Sequence, residues 1–183
     1  RTEVLNLFRL VLKELYKVWS FNQRTPDIEL GIDGQVSNWV INIFNPEDPH
    51  VGADTQLAYV DTSSPLIRIE GREQMDTELF LRAAPSFRAW ILRILFVKDV
   101  VDRYYDFRLV AIDLLANCCK EQRPGLIPDL VVLVNNFFVD EVAWLDIKPI
   151  EEKEIFSYYK EDALIWSLYL SMRRVDRFLH KYI

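Results

Sequence analysis

The chain has 183 residues, a mass of 21.7 kDa and a formal charge of −6, from 22 Lys and Arg against 28 Asp and Glu. A chain of this length is usually one domain and buries roughly 70% of the surface that its unfolded form exposes, so its core needs no metal or disulfide. The 50% apolar and 13% aromatic content excludes intrinsic disorder for most of the chain. The acidic balance argues against a nucleic-acid binder that depends on overall positive charge.

The N-terminal segment is neither a signal peptide nor a membrane span, because Arg9, Lys13 and Lys17 interrupt its apolar residues. No stretch approaches the roughly 18 uninterrupted apolar residues of a transmembrane helix, so we expect a soluble protein without a transmembrane segment. The two cysteines, Cys118 and Cys119, are adjacent and point about 100° apart on a helix, which disfavours a disulfide between them. We therefore expect a cytoplasmic or nuclear location.

The first predicted element is a long amphipathic helix over residues 2–21. Its apolar residues recur at helical spacing, at Val4, Phe8, Val11, Leu15 and Val18. The basic residues of this segment lie on the opposite face, which predicts a helix with one buried side and one solvated side.

Residues 22–71 form a predicted insert of different character. They contain four of the five glycines and four of the eight prolines, which break helices. Between Phe21 and Asp61 there are seven acids and only one base, so this segment carries as much negative charge as the whole chain. The insert is predicted to be acidic and non-helical.

Two alternating apolar runs in the insert predict a β-hairpin with Asp33-Gly34 as its turn. The runs are Ile28, Leu30 and Ile32, and then Trp39, Ile41 and Ile43. Weaker strand candidates follow at residues 57–60 and 66–69.

Residues 69–72 read Ile-Glu-Gly-Arg, the recognition sequence of a coagulation protease that is often engineered into recombinant proteins. This tetrapeptide is either an engineered join or a natural coincidence.

The chain after residue 73 is predicted to be almost continuously helical. Helices are expected over residues 73–83, 87–101 and 107–118, and the last of these has the clearest helical spacing, with Asp113, Asn117 and Lys120 on its other side. The apolar residues of segment 130–142 keep helical spacing, although the valines in it are also compatible with a β-strand. Pro149 opens a final helix, which reaches the C-terminal basic residues.

Together these elements predict a mainly α fold, a helical bundle or short α-solenoid-like array with a small β-hairpin insert near the N-terminus. The successive apolar helices resemble the helical pairs of HEAT or armadillo scaffolds, without the consensus residues of those repeats. We expect residues 1–183 to form a single helical domain.

Catalytic and cofactor-binding patterns are missing from the sequence. Only two histidines, His50 and His180, are available as bases, and neither stands beside a nucleophile motif. The chain has neither of the glycine-rich loops that bind nucleotides, and its cysteines lack a zinc-binding spacing. We therefore expect no catalytic residues, metal ligands or cofactors.

Two charged segments are the candidate partner-binding surfaces. Arg173, Arg177 and Lys181 form one stripe on the last helix, with Arg174 beside it. The acids of the insert are the second segment, represented by Glu47, Asp48 and Asp54.

The sequence favours a non-catalytic protein–protein interaction domain, a scaffold or adaptor. The absence of an initial Met suggests a fragment of a larger polypeptide, so the expected partner is another protein or the remainder of the parent chain. One alternative is a nucleic-acid or anionic-lipid binding module that uses the basic C-terminal helix, although we do not expect nucleic acid as the main partner. A second alternative is an enzyme with an acidic or metal-assisted site, for which the candidate acid pairs are Glu47 with Asp48 and Glu161 with Asp162.

Overall fold

The computed structural model describes residues 1–47, 49–62, 66–75 and 98–182. Within these residues the chain is mainly helical, with a small antiparallel strand insert after the first helix, which confirms the predicted fold class. The helices are α1 (Thr2–Arg24), α2 (Lys98–Arg103), α3 (Phe107–Lys120), α4 (Ile127–Glu141) and α5 (Glu152–Tyr182). The strands are β1 (Ile28–Leu30), β2 (Trp39–Ile41), β3 (Leu57–Tyr59), β4 (Ile67–Ile69) and β5 (Arg72–Glu73).

Two predicted helices fall largely outside the described residues. The helix expected over 73–83 cannot begin at Glu73, because that residue pairs with β4 as part of β5; the rest of it, from residue 76, lies outside the described residues. The helix expected over 87–101 is described only from residue 98, where α2 begins.

Helix α1 has the amphipathic character that its sequence predicts. Phe8, Val11, Leu12, Leu15 and Trp19 are buried. The basic residues on the opposite face are exposed. Burial of this apolar face against α4 and α3 attaches the N-terminus to the rest of the fold.

Helix α3 is the centre of the fold, because every residue from 110 to 118 is buried. Helices α1, α4 and α5 all pack against it. Its first residue, Phe107, stacks on Trp19 of α1 with ring centroids 4.6 Å apart and meets Phe138 of α4 edge-on at 5.7 Å. One hydrophobic core joins these helices, which is the arrangement of a bundle.

The valine-rich segment of residues 130–142 is helical, and the strand alternative is excluded by α4. Leu130, Val134 and Phe137 are buried on its inner side. Val132 and Val139 lie on the outer side, 60% and 71% exposed.

The strands of the insert pair differently from the prediction. β1 pairs with β4, β4 also pairs with β5, and β2 pairs with β3, all antiparallel. The predicted hairpin between β1 and β2 is therefore wrong, and Asp33-Gly34 is not its turn. Gly34 instead lies so close to α3 that a Cβ atom placed on it would stand 2.5 Å from the Val110 side chain. Residues Val36–Asn38 then form a 3-10 helix that leads into β2.

The three-stranded sheet is attached to α1 through Asn22. Its side-chain amide donates to the Leu30 carbonyl and its oxygen accepts from the Leu30 N–H, both at 2.8 Å. At the far side of this sheet, β4 and β5 are joined by a two-residue turn in which Glu70 and Gly71 have φ angles of 50° and 74°. This turn is the centre of the Ile-Glu-Gly-Arg tetrapeptide.

Candidate functional site

The β2–β3 hairpin exposes apolar side chains on its outer side. Val40 on β2 and Val60, just after β3, share one face of the pair, because residues 40 and 58 are opposite each other and side chains alternate along a strand. Both valines are about half exposed. Beyond the end of β2, Ile43 is 92% exposed and Phe44 is 51% exposed. The sequence predicts Ile43 as a strand residue, but β2 ends at Ile41.

The connection between β2 and β3 spans residues 42–56 and is long for a hairpin. Its second half is fixed to α1 around Val51, which is buried. The Val51 N–H donates to the Glu3 carboxylate, and the Asn6 side chain donates to the Val51 carbonyl at 2.9 Å. His50 is exposed beside Glu3, with 3.8 Å between its Nδ1 and the Glu3 Oε1. The loop is thus held at one point while Ile43 and Phe44 remain at the surface.

Two of the predicted partner-binding acids, Glu47 and Asp54, are exposed in this same connection. Asp48 lies outside the described residues. No lysine or arginine occurs between residues 39 and 62 of the sequence, so the local charge is negative. We call Val40, Ile43, Phe44, Glu47, Asp54 and Val60 the hairpin surface.

The other predicted partner-binding residues lie at the C-terminal end of α5. Arg173, Arg174, Arg177 and Lys181 all belong to this helix, as the sequence predicts. Their side chains lie outside what the structure describes. The stripe therefore remains a prediction, and the candidate site is built from the hairpin surface.

A buried polar cluster lies beneath the hairpin, on the side of α3 that faces α5. Asp113 and Asn117, one helical turn apart, are only 5% and 1% exposed. Burial, together with the charge of Asp33, raises the pKa of Asp113 to about 6, and a hydrogen bond from the Tyr158 hydroxyl partly opposes that rise. The Asn117 Nδ2 is buried without a hydrogen-bond acceptor among the described residues.

Asp33 connects this cluster to the hairpin. Its carboxylate accepts the Gln35 N–H at 3.0 Å, and its backbone carbonyl accepts from the Asn38 side chain at 3.3 Å. Burial also raises the pKa of Asp33, with a further contribution from the charge of Asp61. Tyr59 of β3 lies against Asp33, and desolvation with this nearby charge raises the pKa of Tyr59 to about 12.

Lys120 is the basic residue nearest to the cluster on α3. Its ammonium group is 3.1 Å from the Asp162 carboxylate of α5, and the two groups form an ion pair. Arg103 of α2 lies over the Tyr158 ring at 5.2 Å. The cluster thus links the insert, α2, α3 and α5 through buried or half-buried polar groups.

A separate ion-pair network fastens the three-stranded sheet to α2. The Arg68 guanidinium bonds to Asp102 and lies 3.4 Å from the carboxylates of both Glu29 and Glu73. It also lies 3.7 Å from the ring centroid of Tyr105, whose hydroxyl donates to Glu73. These contacts join β1, β4 and β5 to α2 and to Tyr105, which is a structural role for Arg68.

The described residues contain neither a metal-binding cluster nor a membrane-spanning helix. No group of three His, Cys, Asp or Glu side chains in this part of the chain is placed to hold a metal ion. In the same residues, no helix combines the length and apolar character needed to cross a membrane.

Sequence reasoning missed two features of the site. The exposure of Ile43 and Phe44 had a signal in the sequence. These two large apolar residues stand directly before Asn45-Pro46, which favours a loop. Asp113 and Asn117 were recognised as a polar side of α3, but their burial depends on α5, which covers that side.

The model of a family of unknown function, DUF6206, matches residues 1–177, so the chain belongs to this family. Neither a curated protein nor a solved structure matches the chain.

Proposed function

We propose that this member of DUF6206 is a non-catalytic protein-interaction domain, a scaffold or adaptor, that binds a basic and partly apolar segment of a partner protein. The observation that carries this proposal is the exposure of four apolar side chains on and just outside the β2–β3 hairpin, Val40, Ile43, Phe44 and Val60. Exposed apolar side chains that are grouped in one part of a fold often mark protein-binding surfaces.

Charge supports a basic segment as the occupant. Glu47 and Asp54 are exposed in the connection between β2 and β3, and the sequence of residues 39–62 contains no lysine or arginine. A surface of this sign attracts Lys and Arg side chains and repels phosphate groups. Nucleic acid and anionic lipid are therefore poor candidates for this surface.

The anchored loop supports binding without extensive rearrangement. The contacts of Val51 with Glu3 and Asn6 fix the connection to α1. A surface held in place before binding loses less conformational entropy when a partner is bound.

The test is binding of the purified chain to fluorescent peptides in which Lys or Arg alternates with apolar residues. The comparison probes are the same peptides with Glu in place of each basic residue, a DNA duplex, and phosphatidylserine vesicles. We expect saturable binding to basic, apolar peptides, measured by fluorescence anisotropy, and no comparable binding to the other probes.

Two double variants locate the interface. Ile43→Ser with Phe44→Ser removes apolar contact without a change in charge, and Glu47→Lys with Asp54→Lys reverses the acidic rim. Each is expected to weaken binding at least tenfold, roughly 1.4 kcal/mol. The matched control is Val132→Ser with Val139→Ser, because these valines are similarly exposed on α4.

The proposal is overturned by any of three results. These are the absence of saturable peptide binding, equal binding by the hairpin variants and the α4 control, and a preference for DNA or vesicles. If the hairpin variants keep the preference for DNA or vesicles, the basic C-terminal helix is favoured as the binding surface.

A further inference from the structure

The β2–β3 hairpin has one strand edge without a partner strand. Its pairing extends one residue beyond the strands at each end. The Val60 N–H donates to the Asn38 carbonyl at 2.9 Å, and at the other end the Asn42 N–H donates to the Gln56 carbonyl at 3.0 Å. Within the described residues β3 pairs with β2 and with no other strand. The side of β3 that faces away from β2 is therefore unpaired in this part of the chain.

The register shows which backbone groups face this unpaired side. In an antiparallel pair, opposite residues that exchange hydrogen bonds alternate with opposite residues that do not. The bonded pairs here are 38 with 60, 40 with 58 and 42 with 56, so Leu57 and Tyr59 belong to the non-bonded pairs. Their N–H and carbonyl groups point away from β2. Among the described residues, none of these groups has a backbone hydrogen-bond partner.

The opposite edge of the hairpin, on β2, offers fewer open groups. The 3-10 helix of Val36–Asn38 leads directly into β2, and the Trp39 N–H donates to the Val36 carbonyl. On β3, in contrast, two donors and two acceptors of Leu57 and Tyr59 face one side. The edge of β3 therefore suits the addition of a further strand better than the edge of β2.

The sequence of β3 contains none of the side chains that commonly protect an open edge. Natural proteins block such edges with lysine and other charged residues, with proline or with a bulge. Residues 56–60 read Gln-Leu-Ala-Tyr-Val, without a charged residue or a proline. Ala58 and Val60 share the outer side of the hairpin, where Val60 is half exposed. An added strand thus finds open backbone groups beside apolar side chains.

We propose that the partner segment binds as an extended strand on the free edge of β3, with its backbone hydrogen-bonded to Leu57 and Tyr59. This inference deepens the proposed function and rests on it. In binding of this kind, known as β-augmentation, main-chain hydrogen bonds supply affinity and alternate side chains supply specificity. Ile43 and Phe44 follow β2 at the end of the pair where β3 begins, so a segment along β3 extends toward them.

Charge favours a basic segment over a second copy of this chain as the added strand. Residues 39–62 contain no lysine or arginine, and the acids Glu47 and Asp54 are exposed in the connection between the two strands. Pairing of two β3 edges from two copies brings two acidic segments together, which costs electrostatic energy. A segment that carries Lys and Arg gains from the same charges.

Amide hydrogen exchange of the intact chain, measured by NMR, tests the edge directly. The chain is compared free and saturated with the peptide in which basic and apolar residues alternate. The Leu57 and Tyr59 N–H groups are expected to exchange at least about fivefold more slowly in the complex. The Ile41 N–H is the matched control, because it faces the opposite edge of the same hairpin, and its exchange is expected to stay unchanged.

Backbone-methylated peptides provide a second test that leaves the protein unaltered. Along an extended segment, alternate residues turn their N–H groups toward β3 and the others turn them away. Because basic and apolar residues alternate in the peptide, one version is N-methylated at every basic residue and the other at every apolar residue. We expect one version to bind about tenfold or more weakly and the other to bind within about threefold of the unmethylated peptide.

Three results overturn the edge inference. These are equal binding of the two methylated peptides, slower exchange at Ile41 in place of Leu57 and Tyr59, and a dimer of the free chain in sedimentation equilibrium with both β3 amides already protected. The last result assigns the edge to a second copy.

Failure of the edge inference is distinguishable from failure of the proposed function. If no basic, apolar peptide binds saturably, both fail. If the peptide binds and the hairpin-surface variants weaken it, but both methylated peptides bind alike, the proposed function stands and only the edge inference fails.

Discussion

The side chain of Asn135 makes two hydrogen bonds to the backbone of a single residue, Ile150. Its Nδ2 donates to the Ile150 carbonyl at 2.9 Å, and its Oδ1 accepts from the Ile150 N–H at 2.8 Å. Asn22 holds Leu30 in the same manner at the start of the insert. In both places the side-chain amide of an asparagine on a helix satisfies the backbone N–H and carbonyl of one residue outside that helix.

Asn135→Asp is expected to lower the free energy of unfolding by about 2–3 kcal/mol, because a carboxylate cannot donate to the Ile150 carbonyl and is repelled by it. Urea unfolding followed by circular dichroism at pH 7 measures the change. Asn136→Asp adds the same charge to the exposed side of α4 and is the control. Equal effects of the two substitutions would contradict the structural role of Asn135.

Asp113→Asn is expected to stabilise the chain at pH 7 by about 1–3 kcal/mol. The pKa of this acid rises from 3.8 to about 6 on folding, so the native state binds the proton more tightly and stability falls as the pH rises through this range. The gain should therefore disappear near pH 4. Urea unfolding of both chains at several pH values provides the measurement, and a gain independent of pH would refute the assignment to a buried charge.

Gly34→Ala is expected to destabilise the fold by about 2 kcal/mol or more, because the added methyl group overlaps the Val110 side chain. Val110→Ala in the same chain should recover part of this loss by making room. Gly125→Ala is the control, since none of the described residues has an atom within 4 Å of a Cβ added there. Thermal unfolding of the single and double variants gives the coupling energy, and strict additivity would argue against contact between these residues.

Gly71→Ala is expected to cost about 1 kcal/mol through backbone strain, because the φ angle of Gly71 is 74° and, in the described part of the chain, no atom lies within 4 Å of an added Cβ. Glu70→Asn should have the opposite sign, since asparagine tolerates the positive φ of this position better than glutamate does. Exchange protection of the Gln74 N–H, which donates to the Ile67 carbonyl, reports on this sheet. Unchanged protection in both variants would contradict the assigned turn.

Local periodicity was sufficient to predict the long helices. In α1, the row from Val4 to Val18 follows the buried face, and the pattern from Phe107 to Cys118 marks α3 correctly. The predicted strands at residues 28–32 and 57–60 also correspond to β1 and β3.

Strand pairing could not be predicted from the same information. Three-residue strands carry too few side chains to specify a register, and Asp33-Gly34 has the composition of a turn. In the structure, Gly34 instead approaches Val110, a residue far away in the chain, and local sequence does not contain such a contact.

The candidate site was only partly predictable, for a related reason. Glu47 and Asp54 were identified because charge can be counted along a sequence. The burial of Asp113 requires a covering helix, and the exposure of Ile43 requires that β2 ends two residues earlier. Both depend on tertiary neighbours, which periodicity does not contain.

Helix α5 has 31 residues, more than twice the 14 residues of α3 against which it packs. At 1.5 Å per residue it is about 46 Å long, and about 30 Å of it extends from Asp162 to Tyr182. A tilt of about 5° around the contact between Lys120 and Asp162 would displace the C-terminal end by roughly 3 Å. Because α5 is this long, a small tilt of the helix beside Asp113 becomes a much larger movement at its C-terminal end.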